Sequence, residues 1–469
     1  MKNMTLQNMA NAVNGELHIE NIAEGILKDS TLAKGVVLDS RKVEEGYIFV
    51  ATRGERVDGH SFIDSVFEKG AMGVICEQAP QNPKGAYILV KDSFQALKDL
   101  AAFYRQQLNI KVVGITGSVG KTSTKEFIAS VLEQKYITQK TQGNFNNEVG
   151  LPLTVLGLKQ DCRMAVLEMG ISDFGEMHRL SSIAKPDTCV ITNIGQCHLE
   201  NLGTRDGILK AKTEIFDFMN PEGNVCLNGG DDKLITVKEV HGKKPLFFGM
   251  NKSDDCEIYA TEYINKGLDG SSVKIHVDTE SLKEEFYVHI PLPGEHMVYN
   301  ALAATAVGIT YGLNTDEIRN GIEKVQAVGG RSNVIRSEKY TIIDDCYNAN
   351  PVSMKAAIDL MASTPVKSGV KRIAVLGDMF ELGTDEKQLH YEVGQYAAQR
   401  NLEIIICIGD LCKNLYEGAK SVENTVSRAY YYVDKESFLD EINNIISNGD
   451  IILIKASHGM HFEEIVNKL

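Results

Sequence analysis

Apolar residues recur at helical spacing across Met1 to Leu17, and the chain then breaks into short apolar runs separated by turn formers. Ala86-Tyr-Ile-Leu-Val90 predicts a strand. Phe94, Leu97, Ala101, Tyr104 and Leu108 then follow at the period of a helix, with Ser93 as its cap, and a boundary falls near Asn109. From Lys111 the pattern becomes a strand (Lys111-Val-Val-Gly-Ile-Thr116), a glycine-rich turn and a helix from about Lys121, the opening of an α/β unit. The apolar runs from Met164 to Met169 and from Thr188 to Gly195 predict two more strands. Both end in polar residues, and in an open parallel sheet ligands gather outside the carboxyl ends of strands. Roughly Asp255 to Leu292, with the turn Lys266-Gly-Leu-Asp-Gly-Ser-Ser272, reads as antiparallel strands of a peripheral sheet.

After Arg331 strands and helices alternate again. Strands are predicted at Tyr340–Asp345, Arg372–Gly377, Glu403–Gly409 and Asp450–Lys455, with helices after Pro351, near Tyr391 and at the end of the chain. That alternation predicts a second doubly wound unit with a mainly parallel sheet. The fold class is therefore α/β in three domains. Residues 1–109 form a small N-terminal unit, 110–329 a central nucleotide-binding unit with a parallel sheet, and 330–469 a C-terminal Rossmann-like unit.

Composition narrows this picture little. The length of 469 residues suits three domains, and 43% hydrophobic with 24% charged residues is globular usage. A net charge of -14 without a long basic stretch leaves no broad surface for nucleic acid or an anionic bilayer, so neither is expected as a partner. The nine cysteines are odd in number and scattered, which is free-thiol usage in a reducing compartment. The N-terminus lacks the unbroken apolar core of a signal peptide and no stretch approaches a membrane span, so a cytoplasmic protein is expected.

The strongest chemical signal is Gly114-Ile-Thr-Gly117-Ser118-Val119-Gly120-Lys121-Thr122-Ser123, set between a strand and a helix. Glycines let backbone N–H groups approach phosphate oxygens, and the helix N-terminus adds partial positive charge. Lys121 would reach the β- and γ-phosphates and Thr122 would ligate Mg2+. The strict loop pattern asks for glycine where Ile115 stands, and an incidental glycine turn is the bland alternative. Three further residues are candidates. Glu168 ends a strand as a possible Mg2+ ligand or a solvated carboxylate. His198 follows another strand end, where a ligand and a structural histidine weigh about equally. Lys212 sits near the apolar face of a helix, where spacing alone favours a surface lysine that snorkels.

Together these motifs resemble the Mur ligase family over nearly the whole chain. The resemblance rests on Leu38-Asp-Ser40-Arg41, Asp58-Gly-His60, the phosphate loop, Gly143-Asn144-Phe-Asn146-Asn147, Glu168-Met-Gly170, the His198 segment, Ala211-Lys212, Gly294-Glu-His296 to Asn300, and Gly330-Arg331. Asp344-Asp345-Cys-Tyr-Asn348-Ala-Asn350-Pro351 and the run Val375 to Gly383 place it nearest the branch that adds D-alanyl-D-alanine.

The resemblance implies an ATP-dependent ligase of peptidoglycan precursor synthesis that joins a carboxylate to an amine through an acyl phosphate. It implies UDP-N-acetylmuramoyl-tripeptide and D-alanyl-D-alanine as substrates and a monomeric enzyme. Thr122 and Glu168 would hold one Mg2+, and His198 with a carbamylated Lys212 would help hold a second. Asn300, Arg331 and Asp345 would contact the nucleotide, Ser40 and Arg41 the uridine diphosphate, and Asn144, Asn146, Asn147, Asn348 and Asn350 the remaining substrate. Where the family has Lys-Gly-Ser-Arg near the C-terminus, this chain has Lys455-Ala-Ser-His458, with His461 beyond. The alternatives are a sister ligase or folylpolyglutamate synthase with another acceptor, and an ATP-driven switch that forms no covalent product.

Overall fold

The computed structural model describes residues 1–19, 31–54, 57–252, 256–400 and 402–469. Three sheets organise them. The first contains β1 (Glu16–His18), β2 (Gly35–Val37), β3 (Tyr47–Val50), β4 (Gly73–Cys76) and β5 (Tyr87–Leu89) in the order β1-β5-β4-β3-β2, with only β1 antiparallel to its neighbour. The helix Ser93–Gln107 follows, capped by Asp92 rather than Ser93. Extended backbone at Asp92 lets its carboxylate accept from the N–H groups of Phe94 and Gln95, while buried Ser93 donates its hydroxyl to Glu77. Leu97, Leu100 and Tyr104 are fully buried on that helix, and Tyr104 donates its hydroxyl to the Leu158 carbonyl at 2.8 Å. One hydrophobic core thus runs from Met4 and Leu97 to Leu151, Met177 and Ile215, tying the first sheet's helix to the next unit. Full burial of each such side chain contributes roughly 1.5–3 kcal/mol.

The second sheet has nine strands: β6 (Lys111–Thr116), β7 (Thr138–Lys140), β8 (Met164–Glu168), β9 (Thr188–Ile191), β10 (Asn224–Asn228), β11 (Leu246–Met250), β12 (Ile258–Asn265), β13 (Ser271–Asp278) and β14 (Lys283–Ile290). Their order is β14-β13-β12-β11-β10-β9-β6-β8-β7. β6 pairs in parallel with both β8 and β9, so the carboxyl ends of these three strands, near Gly117, Glu168 and Thr192, meet where the strand order reverses. The antiparallel β12–β14 do not form a separate sheet, as the sequence suggested. Parallel pairing of β11 with β12, Phe248 opposite Ile258, makes them an extension of the nine-stranded sheet; Asp255 itself lies outside the described residues.

The third sheet contains β15 (Asn333–Arg336), β16 (Thr341–Asp344), β17 (Arg372–Gly377), β18 (Ile404–Ile408), β19 (Arg428–Tyr432) and β20 (Ile451–Lys455) in the order β15-β16-β20-β17-β18-β19, with only β15 antiparallel. Its four central strands are the apolar runs read from the sequence. The edge strands β15 and β19 escaped that reading because every residue in them keeps some exposure, so the apolar signal is weak. Among the described residues no helix is long and apolar enough to cross a membrane.

Candidate active site

The phosphate loop leaves β6 and enters the helix Lys121–Leu132, and two glycines make that path possible. Gly120 has φ +81°. A Cβ at Gly117 would lie 1.9 Å from Thr192 Oγ1, an overlap no side chain could relieve without moving the loop. The segment after β9 clasps the loop. Asn193 Oδ1 accepts from the Val119 N–H at 3.0 Å, Asn193 Nδ2 and Thr192 Oγ1 donate to the Val119 carbonyl, and Gly195 N–H donates to Ser118 Oγ at 2.9 Å. Lys121 Nζ donates to the Gly117 carbonyl at 2.8 Å, and burial holds its pKa below the ordinary lysine value.

Glu168, at the end of β8, is 1% exposed. Its carboxylate accepts from Thr122 Oγ1 and from Asn146 Nδ2, each at 2.8 Å, and its N–H donates to Thr141 Oγ1. These side-chain donors are neutral, and no ion pair to Glu168 is present among the described residues. A buried carboxylate costs free energy until positive charge offsets it; Glu168 attracts the buried Lys121 ammonium electrostatically, and a carboxylate so placed could also hold a cation. Oxygen donors from a carboxylate and a threonine suit Mg2+.

His198 lies at the N-terminus of the short helix Leu199–Leu202, with φ +50°, and its Nδ1 stands 2.7 Å from Glu381 Oε2 of the C-terminal unit. Lys212 is not the snorkelling surface lysine that spacing favoured. The helix Arg205–Thr213 turns it inward to 1% exposure, and its ammonium makes no hydrogen bond or ion pair among the described residues. Burial, and then the charge of Lys121, pull its pKa down to about 8. Periodicity placed it near the apolar face, but only the packed structure shows that nearly the whole side chain is buried.

A cavity of about 1030 Å³ opens between this strand edge and the C-terminal unit. On the central side Ser118, Val119, Gly120, Lys121, Ser123, Asn146, Asn147, Glu168, His198 and Asn300 line it; on the C-terminal side Arg331, Asp345, Asn348 and Asn350 do. Several of these side chains already have partners. Asn300 Oδ1 accepts from Thr124 Oγ1, Asn147 Oδ1 caps the helix Gly150–Leu156, and Asn350 caps the helix Pro351–Ser363 in a reciprocal box with Ser353. The Asp345 carboxylate is paired with buried Lys455 at 2.6 Å and accepts from the Ser332 N–H. Arg331 lies 4.0 Å over the ring of Tyr347, on which His458 also stacks.

Some predicted residues stand elsewhere. Gly117 and Thr122 do not line the cavity, although Thr122 reaches it through Glu168; Lys212 and Asn144 also lie off its wall. Ser40 and Arg41 belong to the first unit, where Arg41 is highly exposed and forked onto Asp39 at 2.8 Å. The sequence reading missed Thr192 and Asn193, the clasp of the loop, and Lys455, the counter-charge of Asp345. A lysine closing the apolar strand β20 was the available signal for the last.

Comparison with known proteins agrees in all three units. The Mur ligase family catalytic domain model matches residues 33–105, the Mur ligase middle domain 115–308, and the Mur ligase glutamate ligase domain 330–458. The chain is 38% identical to the UDP-N-acetylmuramoyl-tripeptide–D-alanyl-D-alanine ligase of Bacillus subtilis, covering 99% of this chain and 98% of that one. It is 32% identical to the ligase of that name from Escherichia coli, covering 100% and 99%. A crystal structure of MurF from Acinetobacter baumannii superposes with a TM-score of 0.88 at 31% identity over 99% and 98% of the two chains. MurF of Thermotoga maritima, solved in complex with ADP, does so at 0.80 and 30% identity over 94% and 98%. With three family domains in order and a phosphate loop facing a buried carboxylate, the chain belongs to the Mur ligase family.

Proposed function

We propose that the protein is the ATP-dependent ligase that adds D-alanyl-D-alanine to UDP-N-acetylmuramoyl-tripeptide in peptidoglycan precursor synthesis. The observation that carries this reading is the single cavity in which the phosphate loop and Glu168 face Asn348 and Asn350. It acts as a cytoplasmic monomer whose functional divisions fall near residues 109 and 329.

ATP spans the cavity. The loop amides from Gly120 to Ser123 and the Lys121 ammonium take its phosphates, with Gly117, Ser118 and Val119 shaping the loop, Asn300, Arg331 and Asp345 contact the nucleotide, and Arg331 brings a guanidinium already oriented by Tyr347. Thr122 and Glu168 would hold one Mg2+, and His198 would help hold a second. Unmodified Lys212 carries the wrong charge for that second site. Its lowered pKa favours the neutral amine, which would add to carbon dioxide and release a proton to solvent, and the resulting carbamate would be an anion suited to a metal. A Mg2+ held there would supply positive charge against the transferring phosphoryl group.

The first domain takes the uridine diphosphate end of the substrate at Ser40 and Arg41. Asn144, Asn146 and Asn147 position the peptide. Lys121 stabilises charge on the γ-phosphate as the peptide carboxylate attacks it and ADP leaves, which converts a poor leaving oxygen into phosphate. The amine of D-alanyl-D-alanine, set by Asn348 and Asn350, then attacks the acyl carbon; phosphate leaves and the amine proton passes to solvent or a nearby base. Walls contributed by two units exclude the water that would hydrolyse the acyl phosphate.

Phosphate release with Mg·ATP and UDP-N-acetylmuramoyl-tripeptide, with and without D-alanyl-D-alanine, tests the reading, with the product followed by mass. Release that depends on the dipeptide, together with the pentapeptide product, is expected. Release indifferent to the dipeptide and no new amide would refute it, and a product formed only with another amine would move the protein to a sister ligase.

A further inference from the structure

The run Val375 to Gly383 and the two residues His390 and Ser457 acquire a common purpose in the structure. β17 ends at Gly377, and the chain beyond it is fixed by two buried side chains. His390 Nε2 accepts from the Met379 N–H at 2.9 Å, and Ser457 Oγ accepts from the Phe380 N–H at 3.0 Å. The other ring nitrogen of His390 lies 2.6 Å from the Glu386 carbonyl, so both nitrogens serve the backbone and neither is spare for a ligand. The next residue, Glu381, is held at φ +61°, a conformation non-glycine residues rarely adopt. That anchored, strained loop presents one side chain across the domain gap: Glu381 Oε2 lies 2.7 Å from His198 Nδ1.

His198 is equally constrained. It too has positive φ, and the preceding Cys197 places its thiol 3.2 Å from Ser118 Oγ in the phosphate loop. Gly383, two residues beyond Glu381, approaches the same segment, a Cβ there standing 3.7 Å from the Glu200 N–H nitrogen. Two strained residues from different domains therefore meet head to head, on segments that are each tied to rigid parts of their own unit.

We infer that Glu381 is a positioning residue. It holds His198 with the proton on Nδ1 and leaves Nε2 as the nitrogen that can ligate, so the histidine is set for a metal only when the C-terminal unit is docked. A carboxylate on the far nitrogen fixes the tautomer and ring orientation of a ligating histidine. Here the carboxylate comes from a different domain, which makes metal-site assembly conditional on closure and keeps ATP from being committed while the cavity is open. The metal half of the inference rests on the role proposed above for His198; the tautomer half does not.

The test uses the full chain labelled with 15N-histidine, free of metal, at about pH 8, where an ordinary histidine is neutral. His198 is expected as the Nδ1–H tautomer, to lose that preference in Glu381→Ala, and to keep it in Glu381→Gln, whose amide oxygen still accepts. Because position 381 already holds a non-glycine residue at positive φ, neither variant adds backbone strain. Manganese titrations with ADP, followed by electron paramagnetic resonance, are expected to show binding of the second ion weakened about tenfold in Glu381→Ala and regained in Glu381→Gln. An unaltered His198 tautomer in Glu381→Ala would overturn the inference. Unaltered manganese binding in His198→Ala would instead overturn the metal reading of His198, and the tautomer result would still decide the positioning role.

Discussion

The central and C-terminal units both set polar residues at the carboxyl ends of parallel strands, yet they treat charge in opposite ways. At the central edge Glu168 is buried with neutral hydrogen-bond donors, and Lys212 is buried with no hydrogen-bond or ion-pair partner among the described residues. At the C-terminal edge Asp345 is closed by Lys455, and the carboxylate of Asp378 accepts from the Cys412 N–H. The central edge carries charge that phosphate, metal and modification would complete, whereas at the C-terminal edge the Asp345 carboxylate already has its counter-charge in Lys455.

Catalysis should break first at the central edge. Lys121→Ala and Glu168→Gln are each expected to lower the ligase rate by about a thousandfold, the scale of losing one preorganised electrostatic group. Thermal unfolding of the ligand-free protein should change little, since each substitution relieves the burial of one charge but also removes the attraction between Lys121 and Glu168. A steep loss of stability with either would show that the charge is already compensated.

The C-terminal edge should respond in the reverse sense. Lys455→Met leaves Asp345 without its counter-charge and is expected to cost about 3 kcal/mol of stability in denaturant unfolding. Lys212→Met makes the complementary case on the central side, measured in bicarbonate-free buffer. The folded state loses the Lys212 proton at about pH 8 and the unfolded chain near 10.5, so the unfolded state binds more protons in between and stability rises with pH across that window. Below about pH 8 the burial penalty is fully present. The variant should therefore exceed the wild type by about 3 kcal/mol at neutral pH, with the difference closing as pH approaches 10.5.

The smallest effect is expected in the first unit. Arg41 is exposed and its pair with Asp39 is solvated, so Arg41→Ala should leave thermal unfolding unchanged. It should raise KM for the uridine diphosphate substrate about tenfold, the scale of one charge-assisted contact, at unchanged kcat. Unchanged KM would move the diphosphate site away from Ser40 and Arg41.

These contrasts also mark what the sequence could express. The loop, Glu168 and His198 were readable because each follows an apolar strand, and a strand end has a known relation to a ligand edge. Lys212 was not, because a helical period locates a residue near a face but does not reveal whether the neighbouring helices leave its head group a path to water. Asn147 and Asn350 show another limit: the residue types that bind ligands also cap helices, and here their side-chain oxygens cap. The Glu381–His198 contact joins residues far apart in sequence and in different units, so spacing carried no trace of it.

Calorimetric titration of ATP into wild-type protein and Glu168→Gln, each with and without Mg2+, tests most directly whether the central edge is a site awaiting its charge. Wild-type affinity is predicted to fall at least tenfold without Mg2+, and Glu168→Gln to bind nucleotide with little dependence on the ion. A full Mg2+ dependence surviving in Glu168→Gln would contradict the assignment of the buried carboxylate and, with it, the distinction between the two edges.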